Sequence, residues 1–248
     1  MIANEMQSGC ALLPQIDPMY GENNASEAVQ ASRIVKQLPA NSIVMADSGF
    51  GIYSVAHHTD AAGHDFLFRL TNSRFKSLRG KAELIDEGPT HKTYHLLWKP
   101  TAKDRKTTPS LPKDASLEVV LHEVEIGSGK TLPLVSNLEL DGPTASNLYC
   151  RRYDVEFDIR DLQVTMDAEN IRAKSVEMFK KEFYTSVVAY NLASQVRRQA
   201  AGLAGVKPPR LCFQRLCATI KNPLLLHPCR VLEELLARLS AALHHGAY

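Results

Sequence analysis

The sequence predicts an α/β fold, interrupted by an antiparallel β insertion and followed by a helical tail. Three observations carry this reading. Helical and buried-strand patterns alternate over residues 24–70, short β-prone stretches between Pro-, Gly- and Lys-rich turns fill residues 71–144, and helical spacing returns from Ser146. At 248 residues the chain can bury a substantial core, as one elaborated domain or two small ones.

Each element has a local reason. The opening ALLPQIDPMYG reads as the end of an extended segment running into a turn, with no helix or strand fully formed before it. Asn24-Ala25-Ser26-Glu27 offers a polar cap and an acid in the first turn, and Ala28, Val29, Ile34 and Val35 supply an apolar face before Pro39 stops the helix. Ser42 to Ala46 is a continuous apolar run bounded by Asn41 and Asp47, the pattern of a buried parallel strand. Ile52 to Ala62 reads as a helix closed by Gly63, and Asp65 to Leu70 as a second buried strand. In the insertion the β-prone stretches are Thr93 to Trp98, Leu117 to Ile126 and Thr131 to Val135. Val176, Phe179, Phe183, Val187 and Tyr190 then recur at helical spacing as a core stripe, and Leu211 to His245 reads as basic and apolar helices.

Composition excludes several classes. With 44% apolar and 23% charged residues, and only 13 each of Gly and Pro, the whole chain is neither disordered, collagen-like nor coiled coil. The first residues lack a basic stretch and an apolar core of the secretory kind, and the most apolar segment, Val187 to Ala193, is far shorter than the roughly 20 residues a bilayer crossing needs. Five cysteines without a CxxC pair read as reduced thiols, so the expectation is a soluble cytoplasmic protein. The net charge of +2 divides unevenly: residues 1–148 hold 14 Lys/Arg against 17 Asp/Glu, and residues 149–248 hold 15 against 10. A basic second half suits a polyanionic partner, although solvated helix faces account for such a difference as well.

Two places could carry chemistry. Asp47 stands at the carboxyl end of a buried strand before a Gly-containing turn, where open α/β sheets bind ligands; capping the next helix is the alternative role. In the run from Tyr149, residues Tyr149, Arg152, Glu156 and Gln163 fall within about 60° of one another on a helical wheel. A salt-bridged surface is the alternative there, since Arg152, Glu156 and Arg160 are spaced four apart.

The spacing Tyr149-x2-Arg152-x3-Glu156-x6-Gln163 resembles the Y-x2-R-x3-E-x6-K signature of the insertion sequence four family of DDE transposases, and Asp47-Ser48-Gly49-Phe50 resembles its second-Asp motif, D-[RA]-G-[FY]. The motifs stand in the family's order, about 109 residues apart with a β-rich stretch between them, and the likeness covers roughly residues 10–205.

The resemblance implies a ribonuclease-H-like core: residues 1–70 as its first part with Asp47, 71–144 as the insertion, 145–205 as its helical part with Glu156, and 206–248 as a basic tail. It implies DNA strand cleavage and transfer at transposon ends with two Mg²⁺ or Mn²⁺ ions, Asp47 and Glu156 serving as metal ligands and catalytic residues. Arg152 would meet a phosphate near the cut, Tyr149 the transposon end, and position 163 the backbone; Trp98 would stack on an extruded base, a packed aromatic being its alternative. The implied partners are DNA and further transposase copies, without a membrane, and the implied location is the bacterial nucleoid.

Two departures from the pattern stand out. Gln163 replaces a Lys, and can hydrogen-bond a phosphate without neutralising it. The family's first Asp lies on an opening strand well upstream of the second, whereas this chain begins 46 residues before Asp47 and offers only Asp17, in a turn-like setting. A truncated copy is therefore expected, with a non-catalytic DNA-binding or oligomerising remnant as the alternative. The set Cys212, Cys217, His227 and Cys229 fits no common zinc spacing. Lys180-Lys181, Arg197-Arg198 and Lys207/Arg210/Arg215 are candidate phosphate contacts or, alternatively, solvated faces.

Overall fold

The computed structural model describes residues 1–226 other than 19, 23, 128 and 169. Cys229, His227 and the last part of the expected helical tail lie outside the described residues. The chain forms two compact units, one of residue 1 with 17–152 and one of 2–16 with 153–248.

The first unit is built on a six-stranded mixed sheet in the order β3-β4-β8-β7-β6-β5. Its strands are β3 (Ile43–Ala46), β4 (Asp65–Arg69), β5 (Glu83–Gly88), β6 (His91–Trp98), β7 (Leu117–Glu125) and β8 (Thr131–Ser136). β3 and β4 are parallel and joined through α2 (Tyr53–Ala61), while every other neighbouring pair is antiparallel. The predicted insertion is therefore antiparallel, and it continues the same sheet, because β8 pairs directly with β4 through Leu67↔Ser136 and Arg69↔Leu134.

Alternation along the strands divides the core between the two faces. Phe66 and Phe68 of β4 stack on one face, 5.0 Å between ring centroids, with Tyr94, Leu96 and Trp98 of β6, beneath helices that include α1 (Glu27–Val35), α2 and α3 (Asn72–Arg79). Leu67 turns to the other face and meets Leu132, Leu134, Ala145 and Tyr149 under α5 (Gly142–Cys150). Each such fully buried large side chain contributes roughly 1.5–3 kcal/mol. β4 is buried on both faces as its apolar run predicts, whereas β3 is an edge strand with Ile43 exposed, since it has a neighbour on one side only.

Helix starts follow their caps. The side chains of Ser26, Thr71 and Asp141 accept backbone N–H bonds at the heads of α1, α3 and α5. Thr101 and Asp104 form a reciprocal capping box on α4 (Ala102–Thr107). The expected insertion held strands alone; α3, α4 and β5 add to it, because cap chemistry at Thr71 and Thr101 starts short helices that hydrophobic spacing does not announce.

The second unit holds an opening hairpin, β1 (Ala3–Glu5) and β2 (Cys10–Leu12), which corrects the expectation of an unformed start. The Glu5 carboxylate closes its turn by accepting from the N–H groups of Gln7 and Ser8, and Gly9 supplies the left-handed backbone, at φ +67°. The hairpin packs on α7 (Val176–Leu203): the Tyr190 hydroxyl donates to Gly9 O at 2.8 Å, and the Asn191 amide both accepts from and donates to the backbone of Ala11. Ala11, Leu162, Val187, Tyr190, Ala193, Phe213 and Leu216 form the core, the last pair from α8 (Phe213–Leu226). The predicted stripe on α7 holds at Val187 and Tyr190 but not at Val176, which begins the helix and is 72% exposed.

The run containing Tyr149 is not one regular helix. It passes from α5 through a 3₁₀ turn (Arg151–Tyr153) and α6 (Asp154–Arg160) into a π turn (Asp161–Thr165), and irregular chain separates it from α7. A uniform wheel from Tyr149 to Gln163 therefore does not describe this segment, since 3₁₀ and π turns advance the side chains by different angles.

Candidate functional site

The first unit holds Asp47 of one motif and Tyr149 and Arg152 of the other. Asp47 leaves β3 at its carboxyl end, exposed, and its Oδ1 accepts the Gly49 N–H at 2.9 Å, tying the carboxylate to the loop that follows. Arg74 of α3 grips that loop from outside, its Nη1 donating to Gly51 O at 2.6 Å and to Ser48 O at 3.4 Å. Gly51 itself lies against β4, where a Cβ would stand 2.1 Å from Arg69 O. The loop can pass so close to the strand only with glycine there.

Tyr149, in the last turn of α5, is fully buried, and the Arg152 guanidinium lies over its ring, with Cζ 5.5 Å from the centroid. Burial raises the phenol's pKa; the positive charges of Arg152 and Arg69 oppose that rise, and Asp47 adds to it. Asp47, Tyr149 and Arg152 thus share one electrostatic neighbourhood with Arg69, although about 100 residues separate the first from the other two. Arg69 was not legible as a site residue; its signal is a single cation closing a buried strand, one position beyond the Ala46↔Phe68 pair and so level with Asp47.

Trp98 lies elsewhere in this unit, 3% exposed in the core, with its ring edge-on to Tyr53 at 5.4 Å. Base stacking would require it to leave that packing. Asp17 is ion-paired with Arg33 at 2.8 Å and accepts from Gln30, bonds that hold its carboxyl below the usual range.

In the second unit Glu156 and Gln163 are both exposed. Glu156 lines an open groove with Tyr153, Phe157 and Arg160, and Phe157 is 59% exposed. Behind this helix, Arg197 of α7 donates from Nη2 to Asp158 Oδ1 at 2.8 Å and from Nη1 to Asp161 Oδ2 at 2.9 Å. Arg197 is thus enclosed in an ion pair, a correction to its place among the solvent-facing phosphate candidates.

Asp47 and Glu156 are hard oxygen donors of the kind Mg²⁺ or Mn²⁺ takes. Among the described residues no group of three or more His, Cys, Asp or Glu side chains is gathered to hold an ion. The donor type fits a divalent cation.

A family model described as "Transposase DDE domain" matches residues 17–192, which include the loop of Asp47 and the segment of Glu156 and Gln163. The chain belongs to this transposase family. It is also similar to the transposase InsG for insertion sequence element IS4 of Escherichia coli (strain K12), 23% identical over 214 residues, 83% of this chain and 46% of that protein. The chain spans about half the length of this curated relative. The mixed sheet agrees with the ribonuclease-H-like core of DDE transposases, and no helix among the described residues is long and apolar enough to cross a membrane.

Proposed function

We propose that this chain acts in DDE-type DNA transposition, the cleavage of DNA strands at transposon ends and their transfer to a target. The observation that carries this reading is the convergence of Asp47, Tyr149 and Arg152, from two distant motifs, at the end of the parallel strands. Asp47 and Glu156 are the proposed metal ligands. Bound divalent ions would supply charge stabilisation for the attacking and leaving oxygens of an in-line displacement.

The chain's own groups do the positioning. Arg152, oriented by the ring of buried Tyr149, offers a guanidinium fork to a phosphate. Gln163 adds a neutral hydrogen bond to the DNA backbone. Trp98 is proposed to serve the core, since it packs against Tyr53. The proposed partners are duplex DNA and further copies of the transposase, in the cytoplasm.

A second reading, end binding without cutting, is favoured by Asp17, the one Asp before Asp47, whose carboxylate is already ion-paired with Arg33 and accepts from Gln30. A nicking assay with Mn²⁺, on plasmid carrying the DNA that flanks the gene, separates the two. Nicking by the wild type that Glu156→Ala abolishes supports the catalytic reading. Salt-dependent binding without nicking supports the second, and neither nicking nor binding overturns both.

A further inference from the structure

We infer that Arg197 is a positioning residue for the DNA-facing side of the Glu156 helix, an inference that rests on the proposed roles of Glu156 and Gln163. α6 is only seven residues long and continues into a π turn, and apolar burial fixes its rotation poorly. Leu162 is buried, but Phe157, Ile159 and Val164 are exposed. A short helix with so few apolar anchors can roll about its axis unless something else grips it.

Arg197 supplies that grip. Asp158 stands about 200° around α6 from Glu156, on its far side, and Asp161 follows at the head of the π turn. One planar guanidinium reaches both carboxylates, at 2.8 and 2.9 Å, and spans the junction where α6 becomes the π turn that carries Gln163. The fork is itself held from two sides: Phe213 lies 5.0 Å from Cζ, and a Cβ on Gly9 would stand 3.2 Å from both Nη2 and Asp158 Oδ1. Buried ionic groups are commonly no more stabilising than apolar side chains of the same volume, and their best-attested use is to specify one geometry among several. Here that geometry turns Glu156 and Gln163 outward and sets where the π turn begins.

The test compares the wild type, Arg197→Lys, and the triple variant Asp158→Leu/Asp161→Leu/Arg197→Met, each with and without Gln163→Lys. The triple variant removes the buried charges together and leaves the fold with an apolar substitute. Backbone hydrogen exchange over residues 154–165 reads the grip directly. The affinity gain from Gln163→Lys on a 40-base-pair duplex, measured in about 0.1 M salt, reads whether position 163 faces DNA, with roughly a five- to tenfold gain expected for one added phosphate contact. In Arg197→Lys, whose ammonium lacks a planar fork, exchange over 154–165 should rise about tenfold while the α7 amides stay protected, and the Gln163→Lys gain should shrink below about twofold. The triple variant should melt near the wild-type temperature yet show the same lost gain. Retention of both protection and gain in the triple variant overturns the inference. A missing gain in the wild-type background, with exchange still dependent on Arg197, instead removes the proposed role of Gln163 and leaves the grip itself established.

Discussion

At the scale of single residues, Gly51 and His122 carry the clearest consequences. Gly51→Ala places a methyl group 2.1 Å from the Arg69 carbonyl, a contact with backbone that no rotamer change relieves. We expect a loss of about 1–3 kcal/mol in urea unfolding and weaker DNA binding, because the Asp47 loop and its bond from Arg74 must move. Wild-type stability and affinity would refute this account of the loop.

His122 faces α5 from β7, fully buried, and neither ring nitrogen finds a hydrogen-bond partner in the described structure. Burial pushes its pKa down to about 4; Asp141 opposes the shift and His91 adds to it. The unfolded chain takes up a proton near the ordinary value of about 6.5 that the folded chain refuses until about 4. Stability from this group is therefore fully present above pH 6.5 and is lost as pH falls toward 4, by about 3 kcal/mol. His122→Leu should flatten urea-unfolding free energy across that window; an unchanged slope would place the acid sensitivity elsewhere.

At the scale of elements, structure is legible in the sequence where burial is periodic and not where polar geometry decides. β4 is legible because Asp65-Phe66-Leu67-Phe68-Arg69 is apolar to both faces, and α2 because Gly63 follows it. α3 and α4 are not, since cap side chains start them and they bury little. The opening hairpin is not legible because its partner is remote: Asn191 and Tyr190 of α7 bond its backbone from about 180 residues away. Tyr190→Phe should therefore cost about 1 kcal/mol and raise hydrogen exchange in β1 and β2, while equal exchange in the two proteins would show that the hairpin is held by packing alone.

The candidate site divides in the same way. Asp47, Tyr149, Arg152, Glu156 and Gln163 were visible as spaced polar residues, and the first unit brings three of them together. Arg74 was not visible, because its role is to bond backbone carbonyls, which leave no trace in side-chain pattern. Arg197 does carry a signal: it continues the buried stripe of Val187, Tyr190 and Ala193, and a charge at a core position calls for partners.

At the scale of the whole molecule, family membership and the basic second half both support the proposed DNA partner, with Arg152 as its proposed phosphate contact. The most direct test of that claim is the salt dependence of affinity for duplex DNA containing the sequence that flanks the gene, measured for the wild type and Arg152→Ala. We expect the logarithm of the binding constant to fall linearly with the logarithm of salt concentration, with a slope about 0.9 shallower in the variant and an unchanged melting temperature. Binding that is absent or insensitive to salt, or a slope identical in the two proteins, would contradict the account.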